Sequence, residues 1–548
     1  MRKFQNLLSS LFLILLLVFS TTNVLAQTAA TSEKLAPTLS TTEQESSKQV
    51  KTELIKEITT KLTDPEMEGR GTATPGGERA AKYIAEQFQK LGLKPLGDKD
   101  SYLQSIKFNS REITSESVLE LGQTQLKHVE NFGVLFPQPD KDVNVTGEIV
   151  FVGHGISAPE VNHDDFANID VKGKIVVILS GRPKNLTIPE KYNSQRAFFN
   201  NLISRGAAGA IITSFGGSSI SSIAEFLARP KLVAADAKTN FSFQIPLILA
   251  DDLTIEKLIA GGELTLAQLK EKAQNNEYIS FSTKNNLTIK IKVKTSEALA
   301  SNVVGLLEGS DSKLKEEAIV YSAHYDAYGK KADGTIYPGA ADNALGVATV
   351  ISIAEAFTKS RPKRSVIFLA VTAEEMGLIG SEYWVNHPTW PLEKISANIN
   401  YDGIGVETYG PVKKITGFGM EYSNLGDLMQ EVTLATGGTV FADPFPEEKV
   451  FYRSDHFSFV RKGVPAIMLL GAPDGDEKET IARARKFLST DYHKPTDTIK
   501  ADWNWEGPRQ LGAVGFLMGL RLANSDKMAE WKPNTEFNHP RGTDLKTE

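Results

Sequence analysis

The spacing of hydrophobic positions changes twice along the chain. Residues 50–62 and 80–91 carry apolar side chains three and four positions apart, which predicts two amphipathic helices. From 101 to 295, short apolar runs separated by turn residues predict a β-rich region with one clear helix over 197–205. From 301 onward, continuous apolar runs alternate with helical spacing, which predicts buried strands covered by helices.

The last region defines the predicted fold class. Its predicted strands are 318–323, 365–371, 397–401 and 465–470, and a helix is predicted over 345–357. This alternation predicts an α/β fold, a mostly parallel sheet with helices on both faces, interrupted by a separate β-rich domain. The predicted parts are a signal peptide (1–26), a flexible leader (27–46), the first part of the α/β domain (47–100), the insert (101–297), the second part of the α/β domain (298–525) and a loose polar tail (526–548).

The N-terminus has the pattern of a secretion signal. Arg2 and Lys3 precede a mainly apolar stretch over 7–19, and small residues end at Ala26, where cleavage would leave Gln27 first. A membrane anchor is the alternative, but the apolar run is shorter than the roughly 20 residues that span a bilayer. We therefore expect an exported protein, periplasmic or extracellular, with no stable membrane insertion after signal cleavage.

Composition limits the classes of partner. Hydrophobic residues make up 41 % of the chain and charged residues 23 %, and the formal net charge is −6, an ordinary globular balance. No run of Lys and Arg favours nucleic acid, so we expect no such partner. The absence of cysteine excludes disulfides and thiolate metal ligands. Nothing in the sequence indicates an oligomeric state.

Polar side chains stand directly after the predicted strands of the last region. His324 and Asp326 follow one strand, Glu374 and Glu375 follow another, and Asp402 ends a third. Ligands collect at the carboxyl ends of strands in an open α/β sheet, so we expect these side chains to meet at one edge.

Several carboxylates at one edge need compensating positive charge. Buried together, like charges raise one another's pKa, and a divalent cation removes this conflict. Asp342, just before the predicted helix, adds a further carboxylate. Imidazole nitrogen and carboxylate oxygen suit zinc, and five such ligands with one shared carboxylate can hold two ions about 3.5–4 Å apart.

Five motifs carry these residues in a fixed order. They are His324-Tyr325-Asp326, Ala341-Asp342-Asn343, Ala373-Glu374-Glu375-Met376-Gly377, Asn400-Tyr401-Asp402 and Tyr492-His493-Lys494-Pro495-Thr496-Asp497-Thr498. Together they resemble the co-catalytic zinc aminopeptidase and carboxypeptidase family, which includes glutamate carboxypeptidase, transferrin-receptor relatives and leucyl-type bacterial aminopeptidases. The resemblance covers about 46–97 and 300–525, and the region between is similar to the protease-associated domain inserted in many of these enzymes, on weaker cues over 171–177 and 206–209.

The resemblance implies the metal ligands. His324 and Asp402 would hold one zinc ion, Glu375 and His493 would hold the other, and Asp342 would bridge both. The implied cofactor is therefore two Zn²⁺ per chain.

The resemblance also implies two catalytic roles. Asp326 would accept a hydrogen bond from the free ring nitrogen of His324 and so orient the ring. Glu374 would take a proton from the metal-bound water and later pass it to the leaving amine. The implied reaction is hydrolysis of a terminal peptide bond through a metal-bound hydroxide.

A second polar group, over 452–456, is predicted near the same edge. His456 is the rival metal ligand, but the family has a similar Ser-Asp motif here outside the metal shell, which favours His493. Tyr452, Asp455 and His456 are candidates for contact with the substrate or the oxyanion. Arg453 either meets a substrate carboxylate or pairs at the surface.

The function that we expect is that of a secreted zinc-dependent exopeptidase with peptide substrates. Family frequency favours an aminopeptidase over a carboxypeptidase of the glutamate carboxypeptidase type. A glutaminyl-cyclase-like transferase would use one zinc and is disfavoured by the five-ligand set and the insert. A receptor-like binding protein is disfavoured because no ligand is missing.

Overall fold

The structure, a computed structural model, describes most of the chain. The described residues are 37–135, 140–183, 187–188, 192, 195–214, 219–236, 245–262, 264–275, 277, 279–403 and 405–545. The predicted signal peptide and the first ten residues of the predicted leader lie outside them.

Helices and strands are numbered here in chain order. The helices are α1 (Thr41–Ser47), α2 (Thr52–Leu62), α3 (Pro75–Lys90), α4 (Gln195–Ser204), α5 (Ala224–Ala228), α6 (Asp252–Ile259), α7 (Leu266–Gln274), α8 (Leu345–Ser360), α9 (Ile379–Asn386), α10 (Leu425–Ala435), α11 (His456–Val460), α12 (Glu477–Thr490) and α13 (Glu506–Asn524). The strands are β1 (Lys94–Pro95), β2 (Leu103–Ile113), β3 (Val118–Leu121), β4 (Thr124–Lys127), β5 (Phe132–Val134), β6 (Val143–Val152), β7 (Ser157–Ala158), β8 (His163–Asp164), β9 (Ile175–Ile178), β10 (Gly209–Thr213), β11 (Lys231–Ala234), β12 (Leu247–Ala250), β13 (Ser280–Ile291), β14 (Val293–Leu307), β15 (Ala318–His324), β16 (Gly329–Lys330), β17 (Ile336–Tyr337), β18 (Ser365–Val371), β19 (Ile395–Tyr401), β20 (Val412–Phe418), β21 (Thr439–Val440) and β22 (Ala466–Pro473).

A ten-stranded sheet forms the centre of the larger unit. Its order is β11-β2-β14-β18-β15-β19-β22-β20-β21, and β1 pairs with β14. The four central strands β18, β15, β19 and β22 are parallel, but β14 and β20 run antiparallel beside them. The prediction of a mostly parallel sheet is therefore correct for the four central strands and wrong for the strands beside them. β2 and β14 carry the chain into and out of a second sheet, so they lie side by side in opposite directions.

Alternate side chains of the central strands enter two hydrophobic cores. In β15, Ile319 and Tyr321 pack with helices α2, α3, α8, α10 and α13, whereas Val320 packs with α9 and α11 on the opposite face. A strand with both faces buried reads as a continuous apolar run, as the sequence showed. The prediction of helices on both faces is confirmed.

Helix α8 belongs to the first of these cores. Almost all of its residues from Leu345 to Phe357 are buried. The stretch Ala340–Ser360 is long and apolar enough to cross a membrane by length and composition alone, but 94 % of its most apolar window is buried inside the protein. A helix that is apolar on every face either spans a membrane or is buried inside a protein, and α8 is buried.

The region predicted as the insert, called the second unit here, contains a second sheet of eight strands. Its order is β4-β3-β13-β6-β9-β10-β12-β5. Strands β6, β9, β10 and β12 are parallel neighbours, and helices cover both faces, α6 and α7 on one and α4 on the other. The prediction of a β-rich region with one clear helix missed α6 and α7, although Asp251 and Thr265 cap their first turns.

Two strands from the predicted insert belong to the ten-stranded sheet. β2 pairs with β14 along its whole length, from Leu103↔Val303 to Ile113↔Val293. β11 returns from the middle of the insert and pairs antiparallel with β2 at the sheet edge. The two sheets therefore share chain segments, and the predicted boundaries at 101 and 297 do not separate them.

Two segments predicted to be loose are ordered among the described residues. Part of the predicted leader forms α1, where Ser40 and Glu43 make a capping box. In the predicted tail, Phe537 is 1 % exposed inside a core, and Trp531 donates its ring N–H to the Gly463 carbonyl at 3.0 Å. Both predictions were wrong for these residues. The leader helix has a capping box but no apolar stripe, and the isolated apolar residues of the tail leave no periodic pattern.

Candidate metal centre

The predicted site residues lie at the carboxyl ends of the parallel strands. His324 is the last residue of β15, Asp402 follows β19, and Glu374 and Glu375 come three and four residues after the end of β18. Asp342 lies in the turn directly before α8. Parallel alignment therefore brings these side chains to one edge of the sheet, as the sequence predicted.

His324 lies between two carboxylates. Its Nε2 atom is 3.2 Å from Asp342 Oδ1 and 3.2 Å from Asp402 Oδ1. The ring is 1 % exposed. One ligand atom from each of the three residues lies within 4.8 Å of the others, so this first trio could hold a metal ion.

His493 completes a second trio. It lies beyond α12, and its Nε2 atom is 3.3 Å from Asp342 Oδ2 and 3.2 Å from Glu375 Oε2. The three ligand atoms again fall within 4.8 Å of one another. Asp342 thus directs one oxygen to each trio, the arrangement expected of a bridging ligand. All five residues predicted as metal ligands come together.

The carboxylates of the two trios carry negative charge that divalent cations would compensate. Burial raises the pKa of Glu375 to about 7, and the charge of Asp342 adds to this. Burial alone would lower the pKa of His493, but hydrogen bonds with Asp342 and Glu375 outweigh it and raise the pKa to about 9. Glu375 Oε1 is buried with no hydrogen-bond partner among the described residues. Histidine and carboxylate donors with unbalanced negative charge suit zinc.

Asp326 holds the loop that carries Glu374. Its carboxylate accepts hydrogen bonds from the Thr72 hydroxyl at 2.9 Å and from the backbone N–H groups of Glu374 at 3.2 Å and Glu375 at 3.4 Å. The Nδ1 atom of His324 is 3.7 Å from Asp326 Oδ1 but 3.2 Å from the Asp326 backbone oxygen. The predicted contact with the His324 ring is therefore made by the backbone carbonyl.

Glu374 lies beside the first trio without belonging to either. Its Oε2 atom is 4.0 Å from His324 Nε2, and its side chain is 12 % exposed. Burial raises its pKa well above the ordinary value, the charge of His324 lowers it, and the charges of Asp402 and Glu375 raise it further. A carboxyl group placed in this way holds a proton more readily than an exposed glutamate does.

Three of the four predicted substrate residues do not reach the trios. His456 is buried against the ring of Phe451 at 5.3 Å, and burial lowers its pKa to about 3. Tyr452 is 40 % exposed beside the ring of Phe457. Arg453 pairs with Glu448 at 3.2 Å on the surface. His456 belongs to neither trio, which leaves His493 as the second histidine ligand.

Asp455 and its neighbour Ser454 do approach the cluster. The Ser454 hydroxyl donates to Asp402 Oδ2 at 2.6 Å and accepts from the Asn400 side-chain amide at 2.9 Å. Burial raises the pKa of Asp455 to about 7, and its charge also acts on Glu374. Ser454 was not predicted as a site residue, although its place beside Asp455 was a signal that could have revealed it.

Two more charged residues support the bridging carboxylate. Asp497 accepts hydrogen bonds from the backbone N–H groups of Ala341 at 3.0 Å and Asp342 at 3.1 Å. Arg70 is buried and donates to the Tyr325 carbonyl at 2.7 Å, and its charge acts on both Asp497 and Asp342. Asp497 could have been found in its motif, whereas Arg70 stands in a turn that carries no signal of burial.

Residues 302–516 match the family described as Peptidase family M28. This segment contains both trios and Glu374. The resemblance to the co-catalytic zinc aminopeptidases, which the motifs indicated, is confirmed.

Known proteins similar to this chain carry peptidase names. Aminopeptidase YwaD of Bacillus subtilis is 27 % identical over 254 residues, 44 % of this chain and 48 % of its own length. A vacuolar membrane protease of Candida glabrata is 38 % identical over 106 residues, 19 % of this chain and 10 % of its own length. The chain thus matches less than half the length of each of these curated relatives.

Solved structures share the fold. An aminopeptidase from Aneurinibacillus sp. strain AM-1 has a TM-score of 0.57 at 19 % identity, over 90 % of this chain and 98 % of that one. The zinc aminopeptidase BSAP from Bacillus subtilis has a TM-score of 0.52 at 18 % identity, over 90 % and 99 %. A match of this extent includes both sheets.

Proposed function

Taking the M28 match of residues 302–516 as the premise, we propose that the chain is a zinc-dependent aminopeptidase with two zinc ions per chain. The observation that carries the proposal is the pair of ligand trios that share Asp342, with Glu374 beside them. Such a pair is the two-metal arrangement found in aminopeptidases as a class.

His324, Asp402 and Asp342 would hold one ion, and Asp342, Glu375 and His493 would hold the other. When bound, the ions act as Lewis acids that make water nucleophilic near neutral pH and polarise the scissile carbonyl. Ser454 fixes the second oxygen of Asp402, so that its first oxygen stays directed at the trio.

Glu374 is the proposed proton carrier. Its carboxylate lies at the edge of the first trio, and the hydrogen bonds from its backbone and that of Glu375 to Asp326 hold its loop in place. Burial raises its pKa, so it accepts a proton from the attacking water and returns it to the leaving amine nitrogen.

Action at the amino end is favoured over action at the carboxyl end. Arg453, the sequence candidate for binding a substrate carboxylate, is paired with Glu448 at the surface. Acidic groups such as Asp455 lie buried near the trios instead, and negative charge attracts a free α-ammonium group. The similar proteins named above as aminopeptidases point the same way.

The second sheet is the proposed protease-associated insert. Strand β11, which leaves this region and joins the ten-stranded sheet, places Leu232 in one hydrophobic cluster with Ala373 and Met376, residues on either side of Glu374 in the chain. The insert would thereby wall the cleft and restrict access to chain ends. We also propose export, on the signal pattern over 1–26, since the vacuolar membrane proteases match this chain over only a small share of their length.

A peptide panel tests this function. One substrate has a free amino end and a blocked carboxyl end, a second has the reverse, and a third is blocked at both ends. We expect release of amino-terminal residues from the first alone, loss of activity with a chelator, and recovery with zinc.

Variants at two glutamates sharpen the test. Glu374→Gln is expected to lower kcat about 10²–10⁴-fold with two zinc ions still bound. Glu382→Gln, at an exposed glutamate on the nearby helix α9, serves as the matched control and should keep full activity. Equal cleavage of the doubly blocked peptide would refute an exopeptidase, cleavage of the second peptide alone would indicate a carboxypeptidase, and a single zinc per chain would indicate a cyclase-like enzyme.

A further inference from the structure

Tyr328 contacts the second trio from outside. It lies between β15 and β16, and its hydroxyl is 2.9 Å from Nδ1 of His493. The two rings are also in contact, with centroids 4.5 Å apart. The other nitrogen of the same imidazole, Nε2, is the atom that faces Asp342 and Glu375. The Tyr328 hydroxyl therefore contacts the His493 nitrogen that does not face the metal position, and it also lies close to Glu375.

Arg229 reaches Tyr328 from the second unit. It precedes β11 by two residues, and its guanidinium carbon lies 4.9 Å from the ring centroid of Tyr328 and 5.2 Å from that of Tyr337. A guanidinium over an aromatic face is attracted by the ring quadrupole. Because β11 is paired with β2, the position of Arg229 is tied to the edge of the ten-stranded sheet.

The chemistry of a metal-bound imidazole gives the Tyr328 hydroxyl a role. An imidazole that binds a metal through Nε2 carries its proton on Nδ1, and the acceptor of that proton fixes the orientation of the ring. The phenol oxygen of Tyr328 is at hydrogen-bond distance from Nδ1. A phenol has an ordinary pKa of about 10, so it is neutral near pH 7 and its oxygen can accept this proton.

We propose that Tyr328 is the positioning residue for His493 and that Arg229 of the second unit holds Tyr328 in place. Metal affinity at the second trio then depends on a residue that the catalytic segment does not contain. This inference rests on the proposed function, because it requires that the second trio binds an ion.

The first test removes only the hydroxyl of Tyr328. Tyr328→Phe keeps the ring and its contact with Arg229 but deletes the acceptor for His493 Nδ1. Zinc is titrated into the metal-free full chain in competition with a chelator of known affinity. We expect one of two binding steps to weaken about 10–100-fold while the other keeps its wild-type affinity.

The second test removes the cation. Arg229→Ala should weaken the same step about 2- to 30-fold, and Arg229→Lys should recover much of the loss because it restores a cation over the ring. Lys331→Ala is the matched control, since Lys331 is a nearby cation that lies 5.0 Å from the Tyr337 ring and has no part in the proposal. In the Tyr328→Phe background, Arg229→Ala should add nothing, because the hydroxyl that it positions is gone.

The outcomes separate the two proposals. Unchanged zinc affinity in Tyr328→Phe would overturn the inference, and so would an equal effect of Arg229→Ala in both backgrounds. If Tyr328→Phe fails to fold, the contrast between Arg229→Ala and Arg229→Lys decides. A wild-type chain that binds no zinc would refute the proposed function itself, whatever the variants show.

Discussion

Arg70 places a positive charge inside the protein beside the carboxylates of the metal centre. It is fully buried and donates to the carbonyl groups of Leu62, Tyr325, Pro338 and Gly339. Burial lowers its pKa to about 10, and the charges of Asp497, Asp326, Asp342 and Glu375 oppose this. Its cationic form thus offsets part of the negative charge there.

Replacing Arg70 by an apolar side chain of similar length should therefore be costly. In Arg70→Met, four carbonyl groups lose their donor and the nearby carboxylates lose a buried cation. We expect the free energy of unfolding, measured by urea denaturation, to fall by about 3–5 kcal/mol. Arg79→Met is the control, because Arg79 forms an exposed pair with Glu68 and should cost at most about 1 kcal/mol. Similar losses in both variants would contradict the role of Arg70.

The metal ligands predict how the stability of the zinc-free protein depends on pH. The pKa of Glu375 is raised from 4.5 to about 7, and that of His493 from 6.5 to about 9. Across this window the folded state holds protons that the unfolded state has released, so the free energy of unfolding falls as pH rises. The lowered pKa values of Asp342 and His456 act in the opposite direction, but only below the ordinary values of 3.8 and 6.5.

We therefore expect the Tm of the zinc-free protein to decrease from about pH 6.5, above the ordinary pKa of histidine, to pH 9. Zinc should remove most of this dependence, because it displaces the protons from both ligands. Thermal unfolding followed by circular dichroism, with and without zinc, measures the effect. A Tm that rises with pH over this range in the zinc-free protein would show that these groups are not protonated as the structure indicates.

The sequence predicted the five ligands because two local signals coincided in most of them. His324 and Asp402 combine a suitable residue type with a position at the end of an apolar strand. Tyr328 has no such signal, and the only signal for Ser454 is its place beside Asp455, since their importance comes from single contacts with His493 and Asp402, residues distant in the chain. Roles that depend on one long-range hydrogen bond are not visible in a local pattern.

At the scale of elements, β11 connects the second unit to the loop of Glu374. Leu232 is 7 % exposed and packs with Ile106, Phe108 and Ala373. Ala373 directly precedes Glu374, so a loss of packing at Leu232 should shift the position of Glu374, the proposed proton carrier.

Leu232→Ala tests this connection. We expect the free energy of unfolding to fall by about 2–5 kcal/mol, as for other buried leucines, together with a lower kcat on peptides with a free amino end. Leu253→Ala is the control from the same unit, since Leu253 is 72 % exposed and should change stability by no more than about 0.5 kcal/mol. An unchanged kcat in destabilised Leu232→Ala would show that the strand supports the fold alone.

Element length and burial decide which elements the sequence could predict. The run over 365–371 became β18 with the same bounds, because a strand buried on both faces is apolar throughout. β11 has four residues, and helices α6 and α7 have eight and nine, too few for a clear period among polar neighbours. These short elements are stabilised by caps and by pairing partners that lie elsewhere in the chain.

At the scale of the whole molecule, the two sheets are joined by more than a linker. The β2–β14 ladder continues from the ten-stranded sheet to the start of the second sheet, and β13 ends two residues before β14 begins. The sequence predicted two units but could not locate their junction, because the strand pattern runs across it without a break.

The C-terminal segment packs on the face of the ten-stranded sheet that carries α9 and α11. Phe537 lies among the rings of Tyr422 at 4.9 Å, Phe451 at 5.5 Å and Trp531 at 5.8 Å. Arg541 adds a hydrogen bond to the Ile395 carbonyl at the start of β19, at 3.0 Å. This segment therefore contributes to the core that supports the central strands.

Phe537→Ala should destabilise the protein without altering the metal centre. A buried phenylalanine truncated to alanine leaves a cavity and costs about 3–5 kcal/mol, so we expect a lower Tm and faster proteolysis with unchanged zinc content. Tyr409→Ala, at a ring that is 41 % exposed, is the control and should have a small effect. If the segment were a loose tail, the two variants would unfold alike. A selective loss in Phe537→Ala would instead show that the central strands depend on residues beyond the matched catalytic segment.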